Sequence, residues 1–172
     1  MRVLALQAQG NILSSIAGGQ ADAAIIGATL ATPAINHGDA KPLGFTGDEV
    51  SSEAGATMVA TRSADKKPET VRRFLRALAR GRADYVAAFI GADGKPKDGP
   101  GAAEALAIIA KYVGQPVEQV ALSISYVDPA GRLDVTDVLR QIAWYKSQGF
   151  VKPEVDGAKI IDMRYVQALP EK

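Results

Sequence analysis

Strand-like patterning in this chain is confined to its first sixty residues, and nearly everything after that carries helical periodicity. Residues 3–6, 23–26, 41–46 and 57–61 are short apolar or alternating runs bounded by glycine and polar residues, the signature of strands. Between the first two, Asn11 is positioned to cap a short helix whose buried side is Ile12, Leu13 and Ile16 and which Gly18-Gly19 stops. Strand, helix and strand in so short a stretch predict a βαβ unit of a parallel sheet. A second small helix is expected over residues 32–36, with Pro33 early in it and Gly38 closing it.

From Pro68 onward the pattern changes. Pro68 and Glu69 mark a helix start, and Val71, Phe74, Leu75, Leu78, Val86 and Phe89 share one face, with Arg72, Arg73, Arg76 and Arg80 on the others. A turn-rich stretch follows from Gly91 to Pro100. Helices are then expected over about 101–113, from Pro116, over 135–148 with Asp134 as cap and Gly149 as stop, and over 161–169. A helical half without its own sheet has to pack on something. It covers the preceding sheet, or its proper sheet lies outside this chain.

Composition narrows the chemistry. Twenty basic and 19 acidic residues give a net charge of +1, not the basic excess that nucleic-acid binding shows, so no nucleic-acid partner is expected. Cysteine is missing from the sequence and histidine occurs once, at His37. Thiol nucleophiles, cysteine-bound zinc and multi-histidine metal sites are thereby excluded, and no metal or cofactor is expected. His37 closes the small second helix, where an imidazole serves the last carbonyls and the dipole. Neither a P-loop nor a dinucleotide-binding glycine pattern occurs. Asp134 and Asp137, near Asp128, could do acid–base work as paired carboxylates, but capping of the following helix accounts for them. No catalytic residues are assigned, and the chain is not expected to be an enzyme. No apolar run approaches the ~20 residues that span a bilayer. Gln7 and Gln9 break the N-terminal run before the 7–15 apolar residues of a secretory signal, so no signal peptide is read.

Two loops remain, at the carboxyl ends of the expected parallel strands, where ligands of open α/β sheets bind. Gln9, Gly10 and Asn11 lead into a helix N-terminus, and Gly27, Ala28 and Thr29 follow the second strand. The glycines allow close backbone approach, and Asn11 and Thr29 offer side-chain hydrogen bonds. The same loops also read as ordinary βα turns with a capping asparagine.

Four segments, in this order, resemble one family. Residues 16–25 (Ile-Ala-Gly-Gly-Gln-Ala-Asp-Ala-Ala-Ile) are similar to the segment that ends a helix in glycine and feeds a strand through Asp-Ala. Residues 67–77 look like a long helix following a return strand. Trp144-Tyr145-Lys146-Ser147-Gln148-Gly149-Phe150-Val151-Lys152 and Ile161-Asp162-Met163-Arg164-Tyr165-Val166 look like a closing helix and tail. The family is the nitrate/sulfonate/taurine (NMT1/THI5-like) class of periplasmic solute-binding proteins of ABC importers.

The resemblance implies an α/β, type II periplasmic-binding-protein-like fold, present in part. Residues 1–56 would form the latter part of the second lobe, and residues 57–172 the hinge return strand and the helical C-terminal part of the first. It implies capture of a small anionic or aromatic solute in an interlobe cleft, with Gln9, Gly10, Asn11, Gly27, Ala28 and Thr29 facing it. A membrane permease is the implied partner and the periplasm the implied location. Where some relatives carry Trp-x-Pro, this chain has Ala28-Thr29-Leu30, which points to a different ligand. The family's earlier segments have no counterpart here, so the chain is expected to be a fragment or to form a homo-oligomer that covers the missing lobe. Two other functions fit the same resemblance: the effector-binding half of a transcriptional regulator, and a THI5-like pyrimidine-synthesis protein that would consume His37.

Overall fold

Helices form wherever the sequence can satisfy its own backbone locally. The computed structural model describes residues 2–44, 46–49 and 55–169. Among these, the helices are α1 (Gln9–Ala17), α2 (Ala28–His37), α3 (Thr46–Glu49), α4 (Thr61–Lys66), α5 (Pro68–Phe89), α6 (Ala102–Val113), α7 (Val117–Ala121) and α8 (Val135–Ser147). A single 3-10 turn follows at Gly157–Lys159. β-pairing among the described residues is limited to two isolated bridges, Ile90 with Pro96 and Leu133 with Ala168. None of these helices is long and apolar enough to cross a membrane.

The expected α/β, type II periplasmic-binding-protein-like fold is therefore corrected: the described chain is helical and carries no sheet. Residues 3–6, 23–26 and 57–60 form neither helix nor ladder, and residue 45 of the run 41–46 lies outside the described residues. A parallel strand needs a neighbour along its hydrogen-bonding edges and helices over both faces. Here Val3 is 75% exposed, Ile25 80% and Met58 92%. Four-residue runs, one of them half alanine, lack the side-chain area to recruit such a neighbour. Thr61, read as the end of a strand, instead opens α4.

The chain forms two compact units that alternate along the sequence. One comprises residues 1–44 and 87–126, the other 45–86 and 127–172. In the first unit α1 packs on α2, α2 on α7 and α7 on α6. Its buried apolar residues are Ala88, Phe89, Ile90, Ala110 and Val120. Phe89, only 2% exposed, contributes roughly 2–3 kcal/mol of burial. Past it the chain folds back on the end of α5: Lys97 N–H donates to the Phe89 carbonyl at 2.9 Å and Gly99 N–H to that of Ala88 at 2.7 Å. These bonds satisfy carbonyls that a helix C-terminus leaves without partners. Gly114, in the left-handed region at φ 66°, closes α6 as the sequence predicts.

In the second unit the 3-10 turn packs against α8, so closely that a Cβ at Gly157 would lie 3.1 Å from Leu139 and 3.2 Å from Ile142. Asp134 caps α8, its carboxylate accepting the Asp137 N–H at 2.9 Å. No helix forms over residues 161–169. Asp156 caps the 3-10 turn, accepting the Ala158 N–H at 3.1 Å, and inside 161–169 Asp162 accepts the Arg164 N–H at 3.1 Å, a local bond that competes with helix. Tyr165 ties this tail down, donating its hydroxyl to the Ala64 carbonyl at 2.9 Å, while the Arg72 and Arg164 guanidiniums lie 5.7 and 5.5 Å from its ring. Arg164 also pairs with Asp65 at 2.7 Å and Asp162 at 2.6 Å.

Arg82 of α5 donates to the carbonyls of Pro129 at 3.2 Å and Ala130 at 3.1 Å. In the turn that these carbonyls belong to, Asp128 accepts three hydrogen bonds from Arg132, one from its backbone and two from its guanidinium. The side-chain bonds from Arg132 pull the Asp128 pKa from 3.8 down to about 2, against the opposing effect of burial. The stabilisation is thus complete above the ordinary pKa and is lost as pH falls through the folded one. With partial solvent screening it amounts to about 1 kcal/mol. Urea melts at pH 6, 3 and 2 are expected to show wild type more stable than Asp128→Asn at pH 6, with the gap narrowing as pH falls from about 4 to 2. A gap independent of pH would contradict the assignment.

Candidate functional site

The two helices of the first unit that open at the predicted ligand loops pack against each other. α1 begins after Ala8 (φ −124°, ψ 138°), whose side chain offers no cap. The N–H groups of Asn11 and Ile12 both turn onto the Ala8 carbonyl. Asn11, expected to cap this helix, instead lies inside its first turn, and its amide donates to the Leu6 carbonyl at 3.1 Å. Just upstream, Gln7 holds φ 62°, a left-handed conformation uncommon for a side-chain-bearing residue. α2 begins after Gly27 (φ −63°, ψ 139°), again without a side-chain cap. Both helices thus present N-terminal amide groups at their starts, a polarity that favours an anion or carbonyl oxygen.

A groove of about 300 Å³ runs between α1 and α2. Its apolar walls are Leu13, Ile16 and Ala17 from α1 and Leu30, Pro33 and Ala34 from α2, with Ser14, His37 and Asp39 as polar lining. The Ser14 hydroxyl donates to the Gly10 carbonyl at 3.1 Å, which directs it along its own helix rather than toward His37. Ser15, adjacent in sequence, is only 4% exposed, and its hydroxyl finds no hydrogen-bond partner among the described residues.

The predicted site residues sit at one end of these elements. Gln9, Gly10 and Asn11 form the first turn of α1; Gly27 precedes α2, and Ala28 and Thr29 begin it, the side chain of Thr29 lying outside the described residues. None of the six lines the groove. Of the residues that do line it, Leu30 belongs to the Ala28-Thr29-Leu30 segment and His37 to the helix end singled out in the sequence, while Leu13 and Ile16 read as helix interior. Their signal was present: Leu13, Ile16 and Ala17, and Leu30, Pro33, Ala34 and His37, recur at three- and four-residue spacing along one helical face. His37 does stand in the last turn of α2, but backbone groups do the capping there. Gly38, at φ 85°, and Asp39 donate their N–H groups to the Ile35 and Ala34 carbonyls at 3.0 and 2.9 Å.

The carboxylates near α8 each have a partner in the second unit: Asp128 with Arg132, Asp134 with the Asp137 N–H, and Asp137 with Arg140 and Gln141. Among the described residues no three histidine or acidic side chains come together to hold a metal ion. No family model, no curated protein and no solved structure matches the chain.

Proposed function

We propose that the chain is a solute-binding component of an ABC importer, working in the periplasm and handing a small molecule to a membrane permease. Four motifs in family order support this reading, and the observation that carries it is the groove between α1 and α2. Its volume, about 300 Å³, is at the lower end of the range for small-molecule sites, and its apolar walls with a few polar groups are typical of them. The solute it suits is compact and largely apolar, with one polar or anionic group for His37.

A thermal-shift screen over sulfonates, nitrate, bicarbonate, pyrimidines and aromatic acids tests the reading. A solute present at about 100 times its Kd should add about 2.7 kcal/mol, a rise of several degrees. Ala17→Trp, which fills the groove from an exposed position at the end of α1, is expected to abolish that shift. If no small solute moves the transition, or if a shift given by a sulfonate, nitrate, bicarbonate or a pyrimidine survives Ala17→Trp, the proposal fails.

A further inference from the structure

Tryptophan occurs once in the sequence, at Trp144, and it stands on α8 of the second unit 55% exposed. Tyr145 meets it edge to face, with ring centroids 5.2 Å apart and an interplanar angle of 73°. Phe150 completes the cluster, 6.5 Å from Trp144 and 6.4 Å from Tyr145. All three rings are substantially exposed. Apolar surface gathered in this way, in contact with water, marks a place where something binds.

One helical turn before Trp144 lies Arg140, and its position is set from below. Asp137, 3% exposed, accepts one hydrogen bond from the Arg140 guanidinium and another from the Gln141 amide at 2.7 Å. The guanidinium is thereby held at the helix surface, its side chain 63% exposed. Its remaining N–H groups have no partner among the described residues. A groove of about 250 Å³ is lined by Arg140, Gln141, Trp144 and Tyr145. Two aromatic walls and one oriented fork of donors thus face the same space.

We infer that this groove is a binding site for a small aromatic carboxylate, its ring lying against Trp144 and Tyr145 and its carboxylate on Arg140. Each element of the ligand answers one element of the groove. An aromatic ring pairs with the indole and phenol in offset or edge-to-face contact, and a planar carboxylate matches the guanidinium fork. Among the described residues Arg140 is the sole cation lining the groove, and Asp137 already offsets part of its charge. A monoanion with a large apolar body fits that balance better than a phosphate does. This site lies in the second unit and stands independently of the α1–α2 groove.

The test is a titration of the full chain with benzoate, followed by tryptophan fluorescence. Trp144 is the single tryptophan and lines this groove, so the signal reports on it directly. Benzyl alcohol, which lacks the charge, and acetate, which lacks the ring, serve as controls. Benzoate is expected to give a saturable change, with benzyl alcohol and acetate at least about tenfold weaker. Arg140→Gln should weaken benzoate about tenfold or more, and Arg140→Lys, which keeps a cation for Asp137 but not the planar fork, several-fold. Far-UV circular dichroism checks that each variant folds, and if Arg140→Gln does not, Arg140→Lys decides. The inference is overturned by the lack of any saturable response to benzoate, by equal responses to benzoate and benzyl alcohol, or by wild-type benzoate affinity in folded Arg140→Lys.

Discussion

Gly99→Ala is expected to destabilise the first unit by about 3 kcal/mol, because the added methyl has no room and its neighbours cannot yield. A Cβ at this position would collide with the Ala87 carbonyl oxygen, and would meet the Ala88 oxygen at 3.0 Å and Lys97 Cε at 3.1 Å. The lysine chain can swing aside. Both carbonyls belong to the last turn of α5, onto which the returning segment is bonded by the Gly99 N–H to the Ala88 carbonyl and the Lys97 N–H to the Phe89 carbonyl. Moving the backbone to make space breaks those bonds and loosens Ala88, Phe89 and Ile90, which are buried there. The control is Gly81→Ala in the middle of α5, where nothing lies within 4 Å of the added Cβ. That change should stabilise by up to about 1 kcal/mol through helix propensity. Urea denaturation of both variants provides the comparison, and equal midpoints would show that the turn onto α5 is not packed as described.

The second large effect is expected at Asp137→Ala, at about 2 kcal/mol. The carboxylate is buried and accepts from both Arg140 and Gln141, and it sits in the first turn of α8, where the dipole favours negative charge. Removing it leaves the Gln141 amide without this acceptor. Arg140 is 63% exposed and can be rehydrated, which keeps the cost below that of breaking a fully buried pair. Asp137→Asn preserves shape and one acceptor oxygen and should lose about half as much. A double-mutant cycle with Arg140→Ala is expected to return a coupling of about 1 kcal/mol. A coupling near zero would mean that Arg140 takes no part in what Asp137 does for α8. Loss of this tether should also weaken the aromatic groove, since Arg140 would no longer be held in orientation.

The helices α5, α6 and α8 were legible because each announces itself within its own residues. Pro68 and Glu69 start α5, Gly114 stops α6, and Asp134 with Asp137 opens α8, all at positions where the structure has them. The opposite holds for the short apolar runs near the N-terminus. Residues 3–6 and 23–26 have strand-like composition, but a strand exists only by pairing, and a run of four residues carries no information about whether a partner arrives. The terminal segment was misread for a related reason. Asp162 forms a turn with the N–H group two residues ahead, and the end of the segment is bridged to Leu133 through Ala168. Apolar spacing alone does not register such competition.

For the candidate site, the sequence pointed to the loops where α1 and α2 begin, while the groove itself starts just past them, at Leu13 on α1 and Leu30 on α2, and runs on along both helices. By itself the sequence determined α5, α6 and α8, with their starts and stops and the residues that share a face on each, because those outcomes rest on hydrogen bonds and contacts spanning four residues or fewer. Only the tertiary structure decided that α1 meets α2, that the chain past α5 turns back onto its end, and that no sheet forms among the described residues. Those outcomes depend on segments distant along the chain finding each other, and the entropy of closing the intervening loops is weighed against surfaces that no local pattern reveals.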